Sequence, residues 1–285
     1  MKSRRRFIKL AGTGILAAGS GSIYGSSFKL LDINATPLDP AYLFGIGIAG
    51  YTFYEVPVEK AIDIMKRVAV TNLSVKDIYM PLNSTQEVIT SVMNNFKAAG
   101  INVYTVGVIY MKTRQEVDQA FEYARMAGVK MIVGAPGYDL LDYTEQKVRQ
   151  YDFRLAIHNH GPDNPLYHNA KDIWDHIKDL DPRIGICLDI GHTVRDGQDP
   201  MVDAERYATR LFDIHIKDVD RASKEGKTVE MGRGIINIPG FVDILCRISY
   251  KGMCSLEFEK DMKDPLAGIA ESIGYLKGVM AGRLG

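Results

Sequence analysis

The chain of 285 residues carries 35 Lys and Arg against 35 Asp and Glu, a formal net charge of zero. The two signs are interspersed, which argues against a cationic face for a nucleic-acid backbone and against an acidic tail. Past the N-terminal region no apolar run approaches the roughly 18 residues of a membrane span, so a soluble mature protein is expected.

The first element in chain order is Ser3-Arg4-Arg5-Arg6-Phe7-Ile8-Lys9, followed by a small-residue apolar stretch from Leu10 to Ala18. That is the pattern of a twin-arginine export signal. Gly12, Gly14, Gly19 and Gly21 argue against an ordinary first helix, because glycine is a poor helix former. Residues 1–35 are therefore expected to be a signal and leader, and the mature protein to work in the periplasm. Residues 36–285 then have the length of a single eight-stranded α/β barrel. Cys187, Cys246 and Cys254 fall in apolar segments without C-x-x-C spacing and read as packed free thiols.

Short β-rich runs alternate with longer amphipathic stretches. Leu43 to Ile48 reads as a strand, and Val58, Ala61, Ile62, Met65 and Val68 have helical spacing. A second strand follows around Asn72 to Ile78. Ser84 and Thr85 cap a helix to Ala99 that Gly100 closes, ahead of a third strand from Ile101 to Ile109. Gln115 to Ala127 is helical and ends at Gly128, and Val129 to Val133 is the fourth strand. A helix from about Tyr143 to Tyr151 leads to strand five at Arg154 to His158. Ala170 to Lys178 is the next helix, and Trp174 within it reads as helix packing. Strand six is Ile184 to Asp189, strand seven Leu211 to Ile216 and strand eight Met253 to Phe258, with helices from Ile238 to Ile248 and from Pro265 to Met280. Repeated β/α units of this number predict a single (β/α)8 TIM barrel. A doubly wound sheet would carry a Gly-rich phosphate loop after strand one, where Ala49-Gly50-Tyr51-Thr52-Phe53 stands instead.

Ligand-type residues close four successive strands: His158, Asp189, His215 and Glu257. Strand ends of a parallel barrel converge on one rim, so segments far apart in sequence can assemble one site. Two imidazoles and two carboxylates form a donor set for a divalent metal (Mn, Zn, Mg or Co), with positions left for substrate. Polar residues nearby extend the site. His160 either replaces His158 as a ligand or hydrogen-bonds a substrate hydroxyl. His192 either binds a substrate oxygen or orients its loop. Lys217, two residues beyond His215, points to the same side of its strand and either serves the site or pairs with Asp218. Glu259 stands in the same relation to Glu257 and can pair with Lys217. Lys76 and Tyr79 face the rim from strand two. Gly232-Arg233-Gly234 is either a loop that closes over a polar ligand or a simple turn.

Ala156-Ile157-His158-Asn159-His160, Leu188-Asp189-Ile190-Gly191-His192, Ile214-His215-Ile216-Lys217-Asp218, Gly232-Arg233-Gly234 and Ser255-Leu256-Glu257-Phe258-Glu259 together resemble the sugar phosphate isomerase/epimerase family of xylose-isomerase-like barrels. That group includes inosose dehydratases, ketose 3-epimerases and the endonuclease IV group, and the resemblance runs from about Leu43 to Met280. The family's usual metal set is Glu, Asp, His, Glu, which carries over to Asp189, His215 and Glu257, while His158 departs from it. In the epimerases two metal-bound glutamates exchange a proton on opposite faces of the substrate. With His158 in place of the first, that relay lacks a carboxylate, and a metal-bound imidazole is a poor base.

What the chain most resembles is an exported branch with His-Asn-His at strand five, which implies unphosphorylated sugars or oxidised sugar derivatives as substrates. The endonuclease branch would need further His and Glu ligands and a basic groove. The resemblance implies a metal-dependent isomerase or epimerase that moves a proton next to a carbonyl, with Glu257 as base and His160, His192 or Lys217 as hydrogen donors. His192, Arg233, Lys76 and Glu259 would contact substrate. The alternatives are a keto-sugar or inosose dehydratase, a lyase on keto-glycosides, and a non-catalytic exported sugar-binding barrel. The expected partner is a small-molecule sugar, with no nucleic acid and no membrane span, and an oligomer is compatible with the sequence.

Overall fold

The computed structural model describes residues 44–283, and the expected export signal and leader, residues 1–35, lie outside the described residues. Eight parallel strands close into a barrel. They are β1 (Gly45–Ala49), β2 (Asn72–Val75), β3 (Asn102–Met111), β4 (Met131–Pro136), β5 (Arg154–His158), β6 (Ile184–Asp189), β7 (Leu211–Ile216) and, after a small antiparallel ribbon of β8 (Asp218–Val219) and β9 (Thr228–Val229), β10 (Met253–Leu256). Each strand pairs with its sequence neighbour, β10 pairs with β7, and β10 closes the ring against β1. This is the (β/α)8 barrel that the alternation predicts.

Helices α1 (Val58–Arg67), α2 (Gln86–Ala98), α3 (Arg114–Ala127), α4 (Leu141–Tyr151) and α5 (Ala170–Ile177) follow the first five strands in turn. Next come α6 (Ile190–Arg195), α7 (Pro200–Arg206), α8 (Ile238–Arg247) and α9 (Leu266–Ala281). Their starts are chemically marked. Thr85, Thr113 and Asn169 each accept a backbone N–H from the first turn of α2, α3 and α5, satisfying donors with no partner inside the helix. Gly128 ends α3 in the left-handed region at φ 74°, where a Cβ is strained. Phe121, Ile173, Phe241 and Ile273 are buried side chains of this helical layer, and such burial stabilises by about 1.5–3 kcal/mol for each large apolar residue. Trp174 packs against Tyr207, and all three cysteines are buried and unpaired.

Some boundaries differ from the sequence reading. The expected strand from Asn72 to Ile78 stops at Val75, where the chain turns with Tyr79 N bonded to Lys76 O. The fourth strand lies later than Val129 to Val133, at Met131–Pro136. The short helices α6 and α7 and the ribbon β8–β9 fill the connections after β6 and β7. They are too short for a periodicity that needs a window of 11 or more residues.

Alternation along the strands sends Cys187 and Asp189, Asp213 and His215, and Ser255 and Glu257 into the barrel. Toward its base the Tyr104 hydroxyl donates to Asp213 at 3.0 Å and lies 2.6 Å from Ser255 Oγ, which ties β3 to β7 and β10 across the lumen. Next to this polar layer Val108, Val133, Ala156 and Cys187 form a small apolar cluster, Cys187 standing in register with Asp213. The charged cluster lies at the C-terminal strand ends, the face where such barrels carry their sites.

Candidate active site

His158, Asp189, His215 and Glu257 each offer one ligand atom, and these four atoms lie within 4.8 Å of one another. His158 Nε2 is 3.1 Å from His215 Nδ1 and 3.5 Å from Asp189 Oδ2, and His215 Nδ1 is 3.3 Å from Glu257 Oε1. All four residues are buried, Asp189 with no exposure at all. The spacing fits a shared cation, because donors about 2.1 Å from one ion sit roughly 3.0–3.4 Å apart. Two further observations agree with that fit. Asp189 Oδ2 is buried and makes no hydrogen bond, its neighbours being the Lys217 ammonium at 3.0 Å and His158 Nε2 at 3.5 Å, so it keeps lone-pair capacity for a cation. Two imidazole nitrogens facing each other at 3.1 Å also need a proton or a cation between their lone pairs.

The backbone fixes these ligands. Asp189 divides its carboxylate: Oδ1 accepts from His192 N at 2.7 Å and caps α6, which leaves Oδ2 for the cluster. Asn159, between the two histidines, points the other way. Its amide accepts from Asp189 N at 2.8 Å and donates to Asp189 O and Thr193 Oγ1, locking the end of β6 to that of β5. Glu257 lies one residue past β10, pinned by its own N–H on Ile216 O. Thr52 Oγ1 donates to Leu256 O and accepts from Phe258 N, so the residues on both sides of Glu257 are held.

Lys217 reads the acids of this rim. Its ammonium lies 3.0 Å from Asp189 Oδ2, 2.8 Å from Glu257 Oε2 and 2.5 Å from Glu259 Oε1. Burial works against its charge, yet the three carboxylates hold its pKa well above the usual lysine value. Burial likewise opposes ionisation of Glu257, but Lys217 and His215 hold its carboxyl well below the usual range. Asp189 is lowered in the same way, with Lys217 again offsetting burial. Gly191 makes room for this lysine: a Cβ there would come within 2.4 Å of Lys217 Cγ.

The cluster opens into a cavity of about 430 Å³ lined by Tyr51, Lys76, Tyr110, His158, His160 and Glu257, among others. His160 Nε2 is 2.7 Å from the Tyr110 hydroxyl, and its buried Nδ1 has no partner. His192 lines the same cavity with its Nδ1 3.1 Å from Arg195. Burial pushes the pKa of His160 far down and that of His192 to about 4, so both are neutral near pH 7 and act as hydrogen-bond groups. Lys76 donates to Val108 O at 2.7 Å and lies 3.1 Å from Asp77.

Several expected roles change. Lys217 serves the acid cluster, while Asp218 spends both carboxylate oxygens on the backbone N–H groups of Val219, Gly232, Gly234 and Ile236. That explains the Gly-Arg-Gly loop: a Cβ at Gly234 would lie 2.1 Å from Asp218 Oδ1. Arg233 is consequently outside the cavity. It points to solvent, 63% exposed, and pairs with Glu271. Tyr79 is likewise absorbed by the fold, donating to Val56 O. His160 is the neighbour of Tyr110 and stands outside the four-donor group, which His158 completes. The sequence reading missed Tyr51 and Tyr110. Tyr110 lies near the end of β3 and Tyr51 in the turn just past β1, and that position at the rim was the available signal.

The fold and site define a (β/α)8 barrel with a buried His/Asp/Glu cluster at its C-terminal rim that could hold a metal. The chain belongs to the xylose isomerase-like TIM barrel family, whose model matches residues 49–279. Among curated proteins it is 27% identical over 142 residues to the rhizopine catabolism protein MocC of Rhizobium meliloti, covering 45% of this chain and 43% of that one. It is 24% identical over 152 residues to an inosose dehydratase of Mesomycoplasma hyopneumoniae, covering 47% of this chain and 50% of the relative. The match thus spans about half the length of these relatives. Among solved structures, a Parabacteroides distasonis protein superposes with a TM-score of 0.65 at 26% identity, covering 82% of this chain and 98% of that one. The 3-keto-D-glucoside 4-epimerase YcjR of E. coli does so at 0.68 and 16% identity, covering 83% and 100%, a likeness of fold.

Proposed function

We propose that this protein is a metal-dependent sugar-modifying enzyme that moves a proton on the carbon next to a ketone carbonyl. The observation that carries this reading is the buried group of His158, Asp189, His215 and Glu257 facing a cavity of small-molecule size. These four residues would hold a divalent cation, and with two imidazole nitrogens the set favours Mn, Co or Zn over Mg. When bound, such an ion supplies Lewis-acid stabilisation of the negative charge that develops on the substrate's carbonyl oxygen.

The chain's own residues divide the remaining work. Tyr51 and Tyr110 offer ring faces against which a sugar can lie. Glu257 takes the proton from the α-carbon, and Lys217, bonded to its other oxygen, fixes the orientation of that carboxylate. Across the cavity the Tyr110 hydroxyl, hydrogen-bonded to the neutral His160, is the group of this pair able to hand a proton to an oxygen. Because His158 stands where a second carboxylate would serve, the proton returns from the same base or from this pair. Isomerisation or epimerisation is the leading reaction.

The His160–Tyr110 pair also favours a second reading, dehydration, because a donor beside a β-hydroxyl can protonate it as it leaves. The relatives named inosose dehydratase agree with that reading. The test is Glu257→Gln with substrates screened over keto-sugars, followed by NMR in D2O. Turnover should be lost by at least about a thousandfold while sugar binding persists. Deuterium at the α-carbon with all hydroxyls kept marks isomerisation or epimerisation, and an enone product marks dehydration. Unchanged turnover in the variant would overturn the assignment.

Metal dependence has its own measurement. Loading with Mn²⁺, Co²⁺ or Zn²⁺ should raise the Tm of the wild type and leave that of Asp189→Asn and His215→Ala unmoved. Export to the periplasm is part of the same proposal, and tests as loss of secretion when Arg4, Arg5 and Arg6 are replaced by Lys.

A further inference from the structure

A second cavity, of about 470 Å³, lies beside the first and is lined by Arg195, Lys217, Asp220, Lys227, Thr228 and Lys260, among others. The two share His192 and Glu259 as lining residues. Each alone falls in the roughly 300–1,000 Å³ range of small-molecule sites. The walls differ in chemistry. The first combines tyrosine rings with His158 and Glu257 of the four-donor cluster. The second is built largely on the β8–β9 ribbon and is polar and cationic.

Its polar groups are incompletely used. The Arg195 guanidinium reaches Asp163, Lys224 O and His192, but its buried Nε has no acceptor. The Lys227 ammonium makes no hydrogen bond or ion pair among the described residues, although Asp220 feels its charge. Lys260, by contrast, is held by Glu230 at 2.7 Å. Lys227 is therefore an unpartnered cationic donor on this wall, which suits the cavity to a ligand that brings oxygen acceptors.

We propose that the substrate is a two-ring sugar, a glycoside whose keto ring sits over the four-donor cluster between Tyr51 and Tyr110 while its second ring passes between His192 and Glu259 into the cavity formed by Arg195, Lys227 and Thr228. This deepens the proposed function and rests on it, because the keto ring takes its place from the cluster. A single ring would leave the second cavity to water. The hydroxyl and ring oxygens of a second sugar accept from the Lys227 ammonium, and Thr228 contacts its face. Specificity between free sugar and glycoside is then set by the β8–β9 ribbon, on the side of the second cavity away from the wall of His192, Lys217 and Glu259.

The test uses the metal-loaded full chain and three probes that carry the same keto ring: a free keto-hexose, its phosphate ester, and a disaccharide with that ring at one end. Affinity is read by calorimetry and kcat/KM by NMR. The disaccharide is expected to exceed the free sugar at least tenfold in kcat/KM. Thr228→Trp fills the second cavity and should erase that advantage while leaving the free sugar unchanged. Lys227→Ala, a change at an exposed position that leaves the fold intact, should lower the disaccharide alone by severalfold. Equal values for free sugar and disaccharide, a preference for the phosphate ester, or equal losses for both sugars in the variants would overturn the proposal while the proton-transfer reading stands. Failure of all three probes both to bind and to react would overturn that reading, and this proposal with it.

Discussion

Two buried carboxylates with an unbonded oxygen lie in different parts of this barrel, and their surroundings give them opposite characters. Asp189 at the end of β6 and Asp203 in α7 each leave Oδ2 without a hydrogen bond. Beside Asp189 stands the Lys217 ammonium, 3.0 Å away, which overcomes burial and keeps the acid ionised. No cation pairs with Asp203 among the described residues. Burial, joined by the charges of Asp199 and Asp196 and only partly offset by Arg206, raises its pKa to about 6. Burial alone therefore does not make a site. An ionised acid at the rim needs a buried cation to hold it, and a carboxylate without one becomes a pH-dependent burden on stability.

The strongest way to break this contrast is Lys217→Met, which strips three carboxylates of their shared partner. Loss of one member of a buried ion pair typically costs about 3–5 kcal/mol, so urea unfolding of the metal-free variant should show a drop of that order. A loss below about 1 kcal/mol would mean that the rim acids are neutralised by other means. Gly191→Ala attacks the same lysine through its stem. Overpacking costs about 1–3 kcal/mol, and the metal-loaded variant should lose activity along with stability because Lys217 no longer orients Glu257.

Asp203→Asn sharpens the other side. The folded pKa of about 6 lies above the unfolded value of about 3.9. Asp203 therefore supports the fold fully below about pH 4, and that support is lost as pH rises through 6. The variant should match wild type near pH 4 and exceed it by about 1–2 kcal/mol at pH 8. A constant difference across that range would contradict the assignment. Arg233→Ala should do least. An exposed ion pair is worth about 0–1 kcal/mol, so neither unfolding nor sugar affinity should move appreciably, and a large loss of affinity would return Arg233 to the site.

The sequence by itself determined the barrel and the chemistry of its rim. Alternating runs and helical spacing mark eight β/α units, because a buried parallel strand and an amphipathic helix each impose their own period on the residues. The same periodicity marks strand ends, which is why His158, Asp189, His215 and Glu257 were legible as one donor set. It also placed Lys217 on the same side of its strand as His215 and allowed its pairing with Glu259.

Tertiary structure alone decided how each polar atom is spent. Asp189 gives one oxygen to a helix cap and the other to the cluster. Asp218 consumes the Gly-Arg-Gly loop and so moves Arg233 out of the site. Tyr110 pairs with His160 from a strand fifty residues away. The ribbon β8–β9 raises a second cavity beside the first. Hydrogen bonds and ion pairs act within about 4 Å through space, and residues far apart in sequence reach that range only when the ring of strands closes. Local pattern fixes which groups arrive at the rim, and barrel closure fixes which atoms meet there.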